Sequence, residues 1–303
     1  VRGRCVNGQI FKISRFLCWC SWPRHLEKLL IQWLCGGSHR SLELGIADRS
    51  WVSQPMKMQV DHEILASTSL IVTAGGDGTI IRVVDKVAPH GVPILGINMG
   101  RVGFMSEVST GDAAERLPWY LDGNARVEER LMLEANAKLG TSSDTHVVAH
   151  GLNEIIVRGA LPHLLDIDVT IDGARLGTYR ADGVIVSTPT GSTGYALSAG
   201  GPVLQPEAKV MLIQPLAAHI SMQTAVVVPD NSVIELQVVN DDEAIISVDN
   251  LTNATLRRGD KVVLKRSPYV GKFLRSNPPS TFYSDLTSRL GIQQRTTHHG
   301  RDE

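Results

Sequence analysis

The chain has 303 residues, of which 43% are hydrophobic and 20% are charged, so it can form one large domain or two ordinary ones around a sizeable core. Its net charge of −1 gives no general attraction for nucleic acid or an anionic membrane, and no apolar run approaches the ~18 residues of a membrane span. The 4 cysteines all lie at or before Cys35 and fit no zinc-binding spacing, which favours reduced thiols in a cytoplasmic protein.

The first predicted element is an amphipathic helix inside an otherwise irregular N-terminal region, residues 1–60. In the stretch HLEKLLIQWLCGG the apolar side chains recur at helical spacing, and two glycines end the pattern. The apolar positions of this helix are Leu26, Leu29, Leu30, Trp33 and Leu34.

A strand–helix–strand pattern begins at residue 70. The run LIVT is a short buried strand, the apolar side chains from Ile80 to Ala88 are spaced for a helix, and VPILGIN (92–98) is the next strand. A further helix is predicted from Ser109 to Leu121. This βαβ order predicts a Rossmann-like α/β N-terminal domain with a parallel sheet.

Beyond about residue 125 the pattern alternates with period two, which predicts an antiparallel β-rich domain, a β-sandwich. The stretches LEANAKL, DIDVTIDG, VIELQVV and DKVVLK all alternate, and Asp172-Gly173 is typical of a hairpin turn. We predict domains at 1–124 and 125–275, and a segment at 276–303 that returns to the N-terminal domain. That segment holds a last helical face at Phe282, Leu286 and Leu290, and a disordered tail from residue 293.

The loop GGDGT, residues 75–79, ends the first strand and opens the helix that follows. Glycines let backbone amides approach a ligand, and a helix N-terminus attracts anions, so this loop is typical of a phosphate site. It is neither a Walker A loop nor a dinucleotide fingerprint. One interpretation of Asp77 is purely structural, as a residue of the turn or of the helix start. Beside phosphates it could instead bind Mg²⁺, accept a proton from a hydroxyl or orient that hydroxyl.

A second block, RADGVIVSTPTGSTGYALSAGGP, spans residues 180–202 and combines hydroxyl side chains with glycines. A surface linker can have this composition, but a linker contains neither an apolar strand such as Val184–Val186 nor an aromatic residue such as Tyr195. The block is therefore interpreted as a loop that holds a nucleotide, with Asp182 and Tyr195 touching base or ribose.

Taken together, these blocks resemble the NAD kinase family over residues 65–275. The matching stretches are GGDGT, INMGRVGFMSE (97–107), NEIIV (153–157), the block at 180–202 and a Pro…His turn in QPLAAHI (214–220). The loop GGDGT alone is weak evidence, since lipid kinases also carry it. The block at 180–202, in its order and spacing after Asn153-Glu154, is specific.

The resemblance implies transfer of a phosphoryl group from ATP, or polyphosphate in some members, to the 2′-hydroxyl of the adenosine ribose of NAD, which gives NADP. It implies a divalent metal ion such as Mg²⁺, and a homodimer or homotetramer with no nucleic-acid or membrane partner. Asp77 is implied as the proton acceptor. The implied contacts to NAD and ATP are Gly75, Gly76, Asp77, Gly78, Thr79, Arg82, Asn153, Glu154, His163, Arg180, Asp182, Thr193, Gly194, Tyr195, Ala196, Leu197, Ser198 and Ala217.

The sequence departs from the family late in its β domain, where Asp249-Asn250-Leu251 stands in place of a frequent Asp-Gly-Gln, and leucine makes no amide hydrogen bonds. It also lacks an N-terminal Asn-Pro pair, and it has Thr224-Ala225 where Arg-Pro is usual. Two other functions stay open at this point. One is a lipid or sugar kinase that shares only the phosphate loop, and the other is a dinucleotide-binding protein without turnover.

Overall fold

The structure, a computed structural model, describes residues 15–19, 43–47, 65–99, 103–139, 146–219 and 222–289. Within them, the strands are β1 (Arg15–Trp19), β2 (Glu43–Ala47), β3 (Leu70–Ala74), β4 (Ile94–Asn98), β5 (Val108–Ser109), β6 (Arg126–Lys138), β7 (His146–Gly151), β8 (Glu154–Gly159), β9 (Leu165–Ile171), β10 (Ala174–Ala181), β11 (Gly183–Ser187), β12 (Val210–Leu216), β13 (Val226–Pro229), β14 (Ile234–Val238), β15 (Ala244–Val248), β16 (Leu251–Leu256) and β17 (Lys261–Arg275). The helices are α1 (Asp77–Val87), α2 (Ala113–Leu121), α3 (Tyr195–Ser198) and α4 (Thr281–Arg289), with 3-10 turns at Ala88–His90 and Gly191–Thr193.

The N-terminal half is a parallel sheet in the order β2-β1-β3-β4, covered by helices on both faces. Ile71 and Ile94 pack with α1 on one face, whereas Leu70 and Leu95 pack with α2 on the other. Because both faces are covered, every residue of β3 and β4 is buried. The predicted strand–helix–strand unit and α/β domain are confirmed.

The C-terminal half is a β-sandwich, as predicted. Its first layer is a six-stranded antiparallel sheet in the order β13-β12-β11-β8-β15-β16, and its second contains β6, β7, β9, β10, β14 and β17. One apolar core lies between the layers and includes Ile167 and Val169, the inward positions of the alternating strand β9. The hairpin turn at Asp172-Gly173 has φ of 50° and 80°, which is the left-handed backbone that such turns require.

Strand β17 joins the two halves. The sequence pattern predicted a strand at 260–265, but β17 continues to Arg275 after a register shift between Arg266 and Val270. It pairs antiparallel with β6 and β14, and its Phe273 pairs in parallel with Ile94 of β4. Both halves therefore share one 11-stranded sheet, and our domain limits at residues 124 and 275 stay predictions.

Several boundaries differ from expectation. The helix predicted from Ser109 begins at Ala113, because Ser109 ends β5 and its hydroxyl oxygen accepts the amide of Asp112 at 3.2 Å. Strands β1 and β2 lie in a region where the sequence showed no strand pattern. The helix predicted over residues 26–34, Leu290 and the tail from residue 293 lie outside the described residues. No helix in the described ranges has the length and apolar character to cross a membrane.

Candidate active site

The loop 75–79 connects β3 to α1, as the sequence predicted, and presents an open helix start. Gly76 occupies the N-cap position without a side-chain cap, and Asp77 is the first helical residue. Gly76 and Gly78 are exposed, and so is Arg82, whose Nε donates to the Gly78 carbonyl oxygen at 3.2 Å. Asp77 is therefore not a simple capping residue, and the free amides at this helix start can meet an anion.

The Asp77 carboxylate is held by a segment from elsewhere in the chain. Its Oδ2 accepts the amide of Phe104 at 2.9 Å, and its Oδ1 accepts the amide of Met105 at 3.2 Å. Gly103 lies so close that a Cβ there would stand 2.2 Å from Oδ1. This segment belongs to the stretch INMGRVGFMSE, so two of the matched motifs meet at Asp77.

Behind this segment lies a buried network of opposite charges. Glu128 Oε1 accepts from Arg130 Nε at 2.7 Å and from Arg275 Nε at 3.1 Å. Burial alone would raise the pKa of Glu128, but the two guanidinium groups outweigh it and lower that pKa to about 2. Arg275 also donates to Glu107 at 3.2 Å, and the pKa of Glu107 is lowered although its burial opposes this. These side chains thus keep their charges inside the protein.

The Asn153-Glu154 turn is shaped by Asp249. The carboxylate of Asp249 accepts the amides of Leu152, Asn153 and Glu154 at 2.7, 2.8 and 3.1 Å. Asp249 itself has φ of +47°, a left-handed backbone that aspartate tolerates better than most residues. Leu152 packs in the same core cluster as Val84 of α1, so this turn lies against the helix that Asp77 opens.

Two oxygen atoms at this turn are buried without a partner among the described residues, Asn153 Oδ1 and Glu154 Oε2. Burial and then the nearby charge of Asp249 raise the pKa of Glu154 to about 7. A buried acceptor without a partner is costly, so such atoms point to a ligand that completes them. Ribose hydroxyl groups can donate to both.

The hydroxyl block divides into structural and outward-facing residues. The hydroxyl of Thr188 donates to the Leu152 carbonyl oxygen at 2.6 Å, and that of Ser192 donates to the Pro189 carbonyl oxygen at 2.6 Å. Ser187 is buried as well, and its hydroxyl contacts the Asn153 carbonyl oxygen at 3.2 Å. These three hydroxyl groups therefore bond within the loop and its neighbouring turn.

The outward part of the block begins after Gly191, which packs so closely that a Cβ would stand 2.1 Å from the Asn153 carbonyl oxygen. Gly194, Tyr195 and Ser198 are exposed, and Thr193 and Leu197 are half-buried. Ala196 is fully buried. Gly194 also faces Glu154, since a Cβ on it would lie 3.6 Å from Glu154 Oε2.

The remaining predicted contacts lie at the other end of the six-stranded sheet. In that sheet Ser187 pairs with Glu154, whereas Gly183 pairs with Arg158, roughly 13 Å further along β11. Next to Gly183 lie four exposed residues, which are His163, Arg180, Asp182 and Ala217. In one chain the structure does not bring these four together with Glu154. The predicted Pro…His turn begins only at Ala217, because Pro215 lies inside β12.

Sequence reasoning missed three parts of this site. The roles of Gly103, of Asp249 and of the arginines behind Phe104 depend on contacts between residues far apart in the chain. The only local signal was the spacing of Glu128 and Arg130, which puts two opposite charges on one face of β6.

The described residues contain no group of three or more histidine, cysteine, aspartate or glutamate side chains that could hold a metal ion. Asp77 is the carboxylate at the open helix start, and Mg²⁺ commonly takes one or two carboxylates together with substrate phosphates. The donor set therefore fits a metal ion that binds together with a polyphosphate.

The chain is similar to known proteins in both of its halves. A family model for the ATP-NAD kinase N-terminal domain matches residues 41–125, and one for the ATP-NAD kinase C-terminal domain matches residues 152–276. The NAD kinase of Dehalococcoides mccartyi (strain CBDB1) is 36% identical over 244 residues, 80% of this chain and 84% of the relative. The NAD kinase of Chloroflexus aurantiacus (strain ATCC 29366 / DSM 635 / J-10-fl) is 34% identical over 266 residues, 88% and 92% of the two chains.

Two solved structures share the fold. Yeast NADH kinase complexed with NADH superposes with a TM-score of 0.81 at 24% identity, covering 94% of this chain and 90% of that one. An NAD kinase from Archaeoglobus fulgidus in complex with ATP gives a TM-score of 0.70 at 25% identity, covering 92% and 100%. With both family models matched and relatives 34% and 36% identical over most of their length, this chain belongs to the NAD kinase family.

Proposed function

We propose that the protein transfers the γ-phosphoryl group of ATP to the 2′-hydroxyl of the adenosine ribose of NAD, giving NADP and ADP. The observation that carries this proposal is the Asp77 carboxylate, which two backbone amides fix at the open start of α1. Helix starts attract phosphate, and a fixed carboxylate beside them can receive a hydroxyl proton.

In this mechanism the ribose oxygen forms a bond to the γ-phosphorus while the bond from that phosphorus to the bridging oxygen breaks. Asp77 orients the hydroxyl and takes its proton, and the amides of Gly76 and Gly78 bind the phosphates. Phosphoryl transfer depends mainly on positioning and charge neutralisation, and a Mg²⁺ ion, when bound, would supply neutralisation of the phosphate charges. Asp77 is the protein group that would lie beside it.

The dinucleotide binds, in our proposal, between the Asn153-Glu154 turn and the exposed part of the 193–198 segment. The unpartnered oxygen atoms of Asn153 and Glu154 support this placement, because ribose hydroxyl groups would satisfy them. Tyr195, which is 42% exposed, offers a face on which a base can stack.

The homodimer or homotetramer remains a proposal, and the distance between the two groups of predicted contacts supports it. A second copy of the chain could bring its His163, Arg180, Asp182 and Ala217 to the Glu154 end of the first. Light scattering of Asp182→Arg protein tests this, since we expect a smaller assembly and weaker NAD binding. Wild-type assembly size and affinity in this variant would contradict it.

Cytoplasmic localisation also remains our prediction, from the cysteine content alone.

The direct test is an assay of purified protein with Mg²⁺, with ATP or polyphosphate as donor and NAD or NADH as acceptor. We expect NADP from NAD and ATP, and little product from Asp77→Asn protein. Diacylglycerol serves as an alternative acceptor, because a lipid kinase would phosphorylate it and leave NAD unchanged. Tight NAD binding without any product, equal in wild type and Asp77→Asn, would indicate a binding protein instead.

A further inference from the structure

Three arginines from three different elements donate to three successive carbonyl groups beside Asp77. Arg289 Nη1 of α4 donates to the Gly103 oxygen at 2.8 Å, and Arg130 Nη2 of β6 donates to the Phe104 oxygen at 3.2 Å. Arg275 Nη1 of β17 donates to the Met105 oxygen at 3.0 Å. Each carbonyl oxygen of the segment 103–105 thus accepts a hydrogen bond from an arginine side chain.

The same peptide units carry the amides that hold Asp77. The carbonyl of Gly103 and the amide of Phe104 belong to one peptide unit, and the carbonyl of Phe104 and the amide of Met105 belong to the next. In a trans peptide these two groups point in opposite directions. Each unit therefore has an arginine at its oxygen and the Asp77 carboxylate at its N–H, within 2.8–3.2 Å at both ends.

We propose that Arg289 and Arg130 are positioning residues for Asp77 and act on it through these two peptide units. A guanidinium group at the carbonyl polarises the peptide, so its N–H becomes a stronger donor to the carboxylate. The charge of Asp77 also acts on Arg130, since it is among the charges that oppose the lowering of the Arg130 pKa by burial. Helix α4 thereby contributes to the active site through the peptide units of residues 103–105.

Arg130 and Arg289 differ in their exposure and in their other contacts. The Arg130 side chain is 3% exposed and pairs with Glu128 at 2.7 Å, so its removal takes a close cation away from a buried carboxylate. The Arg289 side chain is 22% exposed, and its ion pair with Asp285 is longer, at 3.4 Å. Its Cζ lies 5.7 Å from the centre of the Phe104 ring. Arg289 is therefore the member that can be replaced while the fold is kept.

This inference rests on the proposed function, and its experiment compares Arg289→Ala and Arg289→Lys with wild type. We expect Arg289→Ala to lower kcat on the order of 10- to 100-fold, as small displacements of reacting groups do, with KM for NAD within about twofold. Lysine keeps a charged donor, so Arg289→Lys should recover part of the loss. Arg258→Ala is the matched control, because Arg258 is 63% exposed and its ion pair is with the exposed Asp241.

A double-mutant cycle separates positioning from a general loss of structure. If Arg289 acts through Asp77, its removal in the Asp77→Asn background should cost much less than in wild type. Wild-type kcat in Arg289→Ala, or the same fold loss in both backgrounds, would overturn the proposal. Hydrogen exchange gives a readout without turnover, since Arg289→Ala should speed exchange of the Phe104 amide about tenfold. If wild type forms no NADP, the proposed function fails. The exchange measurement remains a separate test, because an unchanged exchange rate of the Phe104 amide in Arg289→Ala would contradict this inference.

Discussion

Asp77 and Asp249 use the same device in different electrostatic surroundings. Each carboxylate accepts successive backbone amides from a distant segment, at 104–105 for Asp77 and at 152–154 for Asp249. Behind the first segment stand arginines, whereas beside the second lies another carboxylate, Glu154. The first arrangement suits a group that acts next to phosphates. At the second, burial and then the charge of Asp249 raise the pKa of Glu154 to about 7. A carboxylate that accepts successive backbone amides therefore serves two different chemical roles.

The largest effect is expected from Asp77→Asn. If Asp77 takes the hydroxyl proton, kcat should fall roughly 10²- to 10⁴-fold, because general-base contributions have this size. The dissociation constant for NAD, measured by calorimetry, should stay within a few fold. Asp241→Asn is the control, since the Asp241 side chain is 85% exposed and should leave kcat unchanged. Loss of NAD binding in parallel with kcat would assign Asp77 to binding.

Gly103→Ala tests the position of the Asp77 carboxylate without changing a charge. The new Cβ would stand 2.2 Å from Asp77 Oδ1 and must displace the carboxylate. We expect kcat to fall on the order of 10- to 100-fold, as for other displaced catalytic groups. Gly111→Ala is the matched control, because its nearest neighbour is Ser109 Oγ at 3.6 Å. Equal rates for the two variants would show that the position of Asp77 matters little.

The hydrogen bonds from the amides of 152–154 to Asp249 should affect NAD binding and stability more than turnover. Asp249→Ala leaves three amides without their acceptor and should lower the free energy of unfolding by about 1–3 kcal/mol, measured in urea. Asp249→Asn should cost less, because asparagine also tolerates the φ of +47° and keeps one acceptor oxygen. Both variants should raise KM for NAD with little change in kcat. A fall in kcat alone would contradict this division of roles.

The last expected effect is a pH dependence of stability. The pKa of Glu154 is raised from 4.5 to about 7, so the unfolded chain releases its proton first as pH rises. The free energy of unfolding should therefore decrease from about pH 4.5 to 7 and level off above. Asp249, whose pKa burial also raises, acts in the same direction. Glu154→Gln should flatten this slope in urea titrations at several pH values, and a slope identical to wild type would exclude Glu154 as its source.

The sequence predicted the fold where burial follows a simple period. Strand β9 alternates because one face meets the sandwich core, and α1 buries Ile80, Val83, Val84 and Val87 at helical spacing. Strand β17 was predicted too short, because its register shifts after Arg266 and the alternation breaks there. Strands β1 and β2 have no period of their own and form through pairing with β3 and with each other.

The site was predictable only where its residues form local motifs. The loop 75–79 and the pair Asn153-Glu154 stand out in the sequence, and the structure gives the loop its expected position between a strand and a helix. The hydrogen bonds of Asp249 join residues about 100 positions apart, so no local pattern indicates them. The sequence drew attention instead to Leu251, which is 63% exposed in the structure.

The pairing of Phe273 with Ile94 has a consequence for synthesis on the ribosome. Ile94 on the edge of β4 receives this partner only after β17 has left the exit tunnel. Strand β5 pairs with this edge at Ile97 and Asn98, but the Ile94 position is completed only by β17, and until then the nascent chain carries a partly unpaired strand edge of the kind that promotes aggregation. Chains that end before β17 should need chaperones more than the full chain does.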